Sequence, residues 1–277
     1  MNKPVWIVLE GGDGAGKGVA SGIAQKLLAE RGMEYIRTRE PGGTEEGEFL
    51  REKLLGEYGK VWEKTSEIML MTTSRVQHVA RIIRPHLARG VSVLCDRYVH
   101  STLAYQGYGH QGPVDLIRHL HEHAVGGDMP DLTIILDIDP EVGIARAKRR
   151  LEEDGVDEGR MENMAIEFHR RVRQGYLDIA EEDPARHMVI DASRTIPEVR
   201  DDVAARLSEW LDEQAGWTPW HGRYDAALNA PDIGQSTNVM VKRRSGGVDG
   251  PYPCGRIEWH HQGTGSDILF YRIVKEG

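Results

Sequence analysis

The chain has 277 residues, of which 39% are hydrophobic and 29% charged, and its formal net charge is −9 at pH 7. No apolar run approaches the roughly 20 residues that span a bilayer. An acidic surface disfavours a general nucleic-acid-binding protein, because the phosphate backbone is bound by cations. The two cysteines, Cys95 and Cys254, lie far apart and indicate neither a zinc site nor a disulfide framework. We therefore expect an enzyme of the reducing cytoplasm, without a membrane partner.

Strand and helix patterns alternate through the first two thirds of the chain. Short apolar runs predict five strands, at residues 5–10, 35–38, 91–95, 132–138 and 187–191. Helical periodicity predicts helices at residues 17–31, 67–89, 114–124, 140–151, 161–180 and 196–213, the second of them interrupted near Pro85. This alternation is typical of an α/β fold with a parallel sheet covered by crossover helices. The sequence therefore predicts a doubly wound, three-layer domain with a five-stranded parallel sheet.

The composition changes after residue 214, where tryptophans and short β-like runs become frequent. Runs at residues 239–242, 256–259 and 268–273 predict strands. We predict two domains, residues 1–214 and 215–277, the second being a small β-rich module. Its W-x-x-W start and W-H-H-x-G segment resemble a module of bacteriophage proteins, which implies a phage enzyme in a host cytoplasm. Its aromatic residues form either a packed core or a surface for an unidentified partner protein or nucleic acid.

A phosphate-binding loop follows the first predicted strand. Gly11 to Lys17 read G-x-x-x-x-G-K and open a predicted helix, which is the context that this motif requires. The backbone N–H groups of this loop are expected to bind the phosphates of ATP. The ATP-binding residues are then Gly11, Gly12, Asp13, Gly14, Ala15, Gly16, Lys17 and Gly18. Gly18 and Val19 stand where such loops place a Ser or Thr hydroxyl on Mg²⁺. This difference leaves open how the metal is held, and leaves a nucleotide-binding protein with weak catalysis as an alternative.

Three further motifs follow in order: Thr38-Arg-Glu-Pro-Gly-Gly-Thr44, Asp96-Arg97-Tyr98 and Ser101-Thr-Leu-Ala-Tyr-Gln-Gly107. Together with the phosphate loop, they closely resemble the thymidylate kinase family over roughly residues 4–212. The resemblance implies a P-loop nucleoside monophosphate kinase fold and transfer of the γ-phosphoryl group of ATP to dTMP, in pyrimidine deoxynucleotide biosynthesis. It also implies a Mg²⁺ requirement and a homodimer.

The resemblance also implies the roles of individual residues. Arg97 would lie between the donor and acceptor phosphates, oriented by Asp13, with Asp96 near the metal. The catalytic set implied in this way is Lys17, Asp13, Arg97, Arg146 and Arg160. The last two come from a lid segment, because the phosphate loop carries no arginine of its own. The implied dTMP-binding set is Arg39, Arg51, Met71, Arg75, Arg97, Ser101, Thr102, Tyr105 and Gln106.

One position of the base pocket departs from the family pattern. Four residues before Arg75 the family usually has a phenylalanine that stacks on the base, and this chain has Met71. A methionine side chain is softer and less specifying than an aromatic ring. A 5-modified dUMP, used in phage DNA modification, therefore remains an alternative substrate.

Three histidines, His119, His121 and His123, alternate at a spacing of two within a predicted helix. Residues at this spacing do not share a helix face. We therefore expect them at the surface and not in a metal site.

Overall fold

A five-stranded parallel sheet forms the centre of the first two thirds of the chain. The computed structural model describes residues 3–56, 61–154, 164–214, 218–219, 238–243, 248–253 and 268–273. The sheet comprises β1 (Trp6–Gly11), β2 (Tyr35–Arg39), β3 (Ser92–Asp96), β4 (Leu132–Asp137) and β5 (His187–Asp191). Their spatial order is β2-β3-β1-β4-β5 and every neighbouring pair is parallel. The predicted sheet is therefore confirmed.

Helices cover both faces of this sheet. They are α1 (Lys17–Glu30), α2 (Glu45–Leu55), α3 (Lys64–His78), α4 (Arg84–Ala88), α5 (Val99–Thr102), α6 (Val114–Leu120), α7 (Pro140–Asp154), α8 (Ile166–Glu182) and α9 (Ile196–Gln214). Along β1, Ile7 and Leu9 pack with α1 and α9, whereas Trp6 and Val8 pack with α3 on the opposite face. Because successive strand residues alternate between faces, the two cores confirm the three-layer architecture. No helix within the described ranges is long and apolar enough to cross a membrane.

Two helical segments differ from the sequence-based expectation. Helix α2 was not predicted, and its N-cap is Thr44, whose hydroxyl accepts a hydrogen bond from the N–H of Gly47 at 3.0 Å. The helical pattern predicted over residues 67–89, with an interruption near Pro85, consists of α3, a π-helical turn at Val79–Ile83 that was not predicted, and α4. Pro85 lies in the first turn of α4, where its missing N–H removes an ordinary helical hydrogen bond.

The C-terminal strands form a second sheet, which is antiparallel. It comprises β6 (Thr218–Pro219), β7 (Asn238–Arg243), β8 (Val248–Pro253) and β9 (Ile268–Ile273), in the order β6-β9-β7-β8. Strands β7 and β9 were predicted, and the predicted strand at 256–259 lies outside the described residues. Strand β8 was missed because its glycine and two prolines disfavour a strand, although an edge position such as this one tolerates proline.

His121 is buried, which corrects the expected surface position. Its side chain is 8% exposed and its ring lies 5.6 Å from that of Tyr98, whereas His119 is exposed. Helix α6 ends at Leu120, and a π-helical turn begins at His121. The ordinary helical spacing that placed His121 at the surface therefore does not apply there.

Candidate active site

The phosphate loop connects β1 to α1 and is packed closely against β4 and α7. A Cβ atom on Gly11 would lie 2.5 Å from the carbonyl oxygen of Leu136, and one on Gly14 would lie 2.0 Å from that of Gly143. Both glycines have positive φ, +130° and +73°. The loop therefore needs glycine at these two positions for space and for backbone conformation.

Lys17 lies at the first position of α1 and points back over the loop. Its Nζ atom donates to the carbonyl oxygens of Gly11 and Gly12, both at 3.1 Å. Burial and the nearby charge of Arg97 lower the pKa of Lys17 to about 8, although the carboxylate of Asp13 acts in the opposite direction. The loop therefore contains a cation that burial destabilises and that an anionic ligand would stabilise.

Arg97 follows β3 and is the centre of the hydrogen-bond network at this edge of the sheet. Its φ angle is +68°, an uncommon conformation for a residue with a side chain, and its N–H donates to the carbonyl oxygen of Leu9 at 3.0 Å. Nη2 donates to Oδ1 of Asp13 at 2.7 Å, and Nη1 donates to the carbonyl oxygen of Gly11 at 3.3 Å. The guanidinium group therefore faces the phosphate loop.

Asp13 connects Arg97 to Tyr105. The Tyr105 hydroxyl donates to Oδ2 of Asp13 at 3.0 Å. Burial acts to raise the pKa of Asp13, but the charges of Arg97 and Lys17, with the Tyr105 hydrogen bond, lower it overall. Asp13 is therefore ionised at neutral pH and holds Arg97 at the mouth of the loop.

A buried carboxylate lies behind Arg97, and sequence reasoning did not identify it. Glu10 is fully buried at the end of β1 and accepts hydrogen bonds from the hydroxyls of Ser101 and Tyr176 at 2.6 and 2.9 Å. The same two hydroxyl oxygens accept from Nη1 of Arg97 at 3.1 and 3.2 Å. Burial raises the pKa of Glu10. The signal in the sequence was an acidic residue inside an apolar strand directly before the phosphate loop.

The two expected acceptor-side arginines flank the loop between β2 and α2, with Arg39 at the end of β2 and Arg51 on α2. Arg39 forms an ion pair with Glu48, with Nη2 and Oε2 2.7 Å apart and the two side chains 51% and 43% exposed. Nη1 of Arg51 donates to the carbonyl oxygen of Pro41 at 3.1 Å. Both arginines are thus held at the loop, and the Arg39–Glu48 pair is open to solvent.

Arg75 lies in a buried network next to this loop. Its Nε donates to Oε2 of Glu40 at 2.8 Å, its Nη2 donates to the Thr102 hydroxyl at 2.7 Å, and both charged side chains are 3% exposed. His78 contacts the other oxygen of Glu40 through Nδ1 at 2.8 Å. Met71 is buried one helical turn before Arg75. These residues form the wall at which the sequence places the base.

Gln106 is turned away from the phosphate loop towards α3. Its Nε2 donates to Oε1 of the buried Glu67 at 2.9 Å. The donor end of this amide is thus directed to Glu67 and not to the phosphate loop.

The structure describes one of the two expected lid arginines. Arg146, on α7, donates from Nη1 to the carbonyl oxygen of Ala192 at 3.1 Å, and Arg160 lies outside the described residues. On α8, Arg173 pairs with Asp137 through two hydrogen bonds of 2.7 and 2.8 Å. The hydrogen bond with Asp137 raises the pKa of Arg173.

Asp96, the residue that the sequence analysis expects near the metal, is exposed at the carboxyl end of β3. Within the described ranges, no group of three or more His, Cys, Asp or Glu side chains is placed to hold a metal ion. Gly18 and Val19 supply no hydroxyl. Asp96 is thus a carboxylate that could bind a cation arriving on a nucleotide.

Together, these features define a class of protein. A phosphate loop, an arginine at the carboxyl edge of a parallel sheet, and a second loop with arginines are the parts needed to hold two phosphorylated ligands end to end. The fold and site are those of a P-loop kinase acting on a nucleoside monophosphate.

Comparisons with known proteins name the family. The family model "Thymidylate kinase" matches residues 9–203. Thymidylate kinase of Cereibacter sphaeroides is 46% identical over 207 residues, covering 74% of this chain and 95% of that protein. The corresponding enzyme of Caulobacter vibrioides is 42% identical over 216 residues, covering 78% and 100%. The crystal structure of thymidylate kinase from Ehrlichia chaffeensis superposes with a TM-score of 0.59 at 32% identity, covering 74% and 98%.

The chain belongs to the thymidylate kinase family. Members of this family are ATP-dependent phosphotransferases that phosphorylate dTMP with the help of a divalent metal.

Proposed function

We propose that this chain transfers the γ-phosphoryl group of ATP to the 5′-phosphate of dTMP, giving ADP and dTDP, with the residues described above in defined roles. The observation that carries the proposal is the position of Arg97, whose side chain is held by Asp13 at 2.7 Å over the mouth of the phosphate loop. A cation at this point faces the site where both phosphate chains must meet.

The donor side is formed by the phosphate loop, Gly11 to Gly18. Its N–H groups and the N-terminus of α1 bind the triphosphate of ATP, and Lys17 neutralises the β- and γ-phosphates. Lys17 exchanges its two carbonyl acceptors, on Gly11 and Gly12, for phosphate oxygens.

The acceptor side is formed by the loop after β2 and by α3. Arg39 and Arg51 bind the 5′-phosphate of dTMP as charged donors. Arg75 donates to a carbonyl oxygen of the base with Nη1, since its Nε and Nη2 are already bound to Glu40 and Thr102. The remaining members of the dTMP-binding set line the base and sugar; they are Met71, Ser101, Thr102, Tyr105 and Gln106.

The chemistry requires positioning and charge neutralisation more than proton transfer. An already ionised oxygen of the dTMP phosphate attacks the γ-phosphorus, and the bond from that phosphorus to the β,γ-bridging oxygen breaks. The attacking oxygen carries no proton, so no general base is needed. Arg97 stabilises the charge that develops between the two phosphates, and Arg146 and Arg160 complete the cationic shell from the lid side.

Mg²⁺ is the divalent metal of this proposal. When bound with ATP, it neutralises charge on the β- and γ-phosphates. Asp96 supplies one oxygen from the protein, directly or through water.

We also propose a homodimer in the cytoplasm. Helices α2 and α3 pack together, and they carry Phe49 and Met69, which are 59% and 50% exposed. A second copy would cover these apolar side chains. Residues 215–277 then form a separate module, of a type found in phage proteins, for an unidentified partner. Sedimentation velocity on the wild-type protein and on Met69→Lys tests the dimer, which the lysine should dissociate.

The activity is tested with a coupled assay of ADP release, using Mg²⁺, ATP and each of dTMP, dUMP, dCMP and dGMP. We expect rapid turnover with dTMP and loss of turnover in Lys17→Ala, with circular dichroism showing a retained fold. ATP binding without turnover on any monophosphate would contradict the proposal, as would an active Lys17→Ala variant.

A further inference from the structure

Glu10 lies behind Arg97, and its carboxylate accepts four hydrogen bonds. Oε1 accepts from the N–H groups of Tyr98 and Ser101, at 2.7 and 3.2 Å. Oε2 accepts from the hydroxyls of Ser101 and Tyr176, at 2.6 and 2.9 Å. The carboxylate is 0% exposed. All four donors belong to residues that surround Arg97.

These contacts determine the direction of the hydrogen bonds that reach Arg97. A hydroxyl group has one proton and two lone pairs. When Ser101 and Tyr176 donate their protons to Glu10, their lone pairs are left for Nη1 of Arg97, which lies 3.1 and 3.2 Å away. An ionised Glu10 therefore makes both hydroxyls acceptors towards a guanidinium group that can only donate.

Glu10 also supports the backbone turn that carries Arg97. The N–H of Tyr98, the next residue along the chain, donates to Glu10, and the N–H of Arg97 itself donates to Leu9, the residue before Glu10. The left-handed conformation of Arg97, with φ of +68°, is unfavourable unless neighbouring contacts hold it. The end of β1 supplies those contacts.

We infer that Glu10 is a positioning residue for phosphoryl transfer, acting through the hydroxyls of Ser101 and Tyr176 to aim Arg97 at the reacting phosphates. The inference rests on the proposed function of Arg97. Glu10 touches neither nucleotide. It acts on the stabilisation of the transition state by Arg97 more than on the affinity for either substrate.

Glu10→Gln is the direct test, because the amide has the same size but replaces one acceptor oxygen with a donor. A donor facing Ser101 and Tyr176 turns one of their protons towards Arg97, which has no lone pair to accept it. We expect kcat to fall about 100-fold, with KM for ATP and for dTMP changed less than about threefold. A fall confined to KM, or no fall, would overturn the inference.

Asp131→Asn is the matched control. Asp131 is also a buried carboxylate, and it accepts from the N–H of Trp6 at 2.7 Å, at the opposite end of β1. The Asp131→Asn substitution should lower the thermal stability as Glu10→Gln does, while leaving kcat near the wild-type value. An equal loss of kcat in Asp131→Asn would mean that general destabilisation explains the effect, and would overturn the inference.

The hydroxyls provide a second test if Glu10→Gln does not fold. Tyr176→Phe and Ser101→Ala each remove one acceptor, and both should lower kcat. The single variants do not depend on the folding of Glu10→Gln. Where Glu10→Gln does fold, adding it to the double hydroxyl variant should lower kcat by less than about threefold more, since residues acting through one network are not additive. Full additivity, or wild-type kcat in Tyr176→Phe and Ser101→Ala, would overturn the inference.

The failure of this inference is distinguishable from failure of the proposed function. If the wild-type protein does not phosphorylate dTMP, the proposed function fails. Crystal structures of the wild-type protein and of Glu10→Gln then still decide the inference. A changed direction of the Arg97 side chain in the variant supports it, and an unchanged side chain overturns it.

Discussion

Lys17 and Arg97 share one hydrogen-bond acceptor. The carbonyl oxygen of Gly11 lies 3.1 Å from Nζ of Lys17 and 3.3 Å from Nη1 of Arg97. Two cations at one oxygen repel each other, and this repulsion, together with burial, lowers the pKa of Lys17. The phosphates of ATP would relieve the repulsion by adding negative charge between them.

The first prediction is that ATP affinity decreases as the pH rises above about 8. The pKa of Lys17 is about 8 without ligand, and bound phosphates raise it, so binding takes up a proton at higher pH. The affinity for ATP is therefore highest below the pKa of Lys17 in the free protein and decreases as the pH rises above it. Isothermal titration calorimetry in buffers of different ionisation enthalpy measures both effects. Lys17→Met should bind weakly without this pH dependence; a flat wild-type profile between about pH 7 and 10 would contradict the assignment.

The second prediction concerns the missing hydroxyl of the phosphate loop. An added Cβ on Gly18 meets nothing within 4 Å, so Gly18→Ser should fit without strain. We expect the new hydroxyl to tighten MgATP binding roughly tenfold, a gain of about 1.4 kcal/mol. Gly18→Ala is the control, since it adds the carbon without the oxygen. Equal effects of the two variants, or the same gain for ATP in the presence of EDTA, would show that the hydroxyl does not reach the metal.

The third prediction is that Arg75→Leu strongly destabilises the fold. It would leave Glu40, which is 3% exposed, without its guanidinium partner. Removing one member of a buried ion pair lowers the free energy of unfolding by about 3–5 kcal/mol. Chemical denaturation measures this loss, and the double variant with Glu40→Gln should recover part of it. Failure of the double variant to recover any stability would show that packing, and not the unpaired charge, is responsible.

The fourth prediction concerns stability in acid. Burial and the charge of Arg75 lower the pKa of His121 from 6.5 to about 3. The unfolded chain therefore binds a proton that the folded chain does not. His121 does not lower the free energy of unfolding above about pH 6.5. Below that pH, the free energy of unfolding declines by about 1.4 kcal/mol for each pH unit, until the pH reaches the pKa of His121 in the folded protein. Burial lowers the pKa of His100 in the same sense.

Denaturation at a series of pH values checks this behaviour. His121→Phe keeps an aromatic ring beside Tyr98 and should reduce the acid slope by the contribution of one proton. His119→Phe changes an exposed histidine of the same helical region and should leave the slope unchanged. An unchanged slope in His121→Phe would show that His121 titrates normally in the folded protein.

The sequence was sufficient to predict the sheet and the residues at its carboxyl edge. Asp13 and Arg97 are 84 residues apart in the chain, yet each follows a strand, and β1 and β3 are parallel neighbours. Carboxyl ends of parallel strands meet at one edge, so motif order alone brings the two side chains together. The apolar runs predicted the strands for the same reason, because a parallel sheet is buried on both faces.

Other features depend on contacts that local patterns do not contain. Helix α2 was missed because only Gly47 and Leu54 among its residues are buried, and so it lacks an apolar stripe. Glu10 lies within an apolar run, and its hydroxyl partners come from α5 and α8, far along the chain. The contact of Arg146 with Ala192 depends on how α7 sits beside β5, which no spacing of charges along α7 indicates.

Gly14 and Gly143 are in contact although they lie 129 residues apart in the sequence. The carbonyl oxygen of Gly143 occupies the space of a Gly14 side chain, and the carbonyl oxygen of Asp13 occupies that of a Gly143 side chain, 2.6 Å from where its Cβ would be. Neither glycine can be replaced while the other segment stays in place. The phosphate loop and α7 are therefore in direct backbone contact at these two positions. A substitution at either glycine must therefore displace the backbone of both segments.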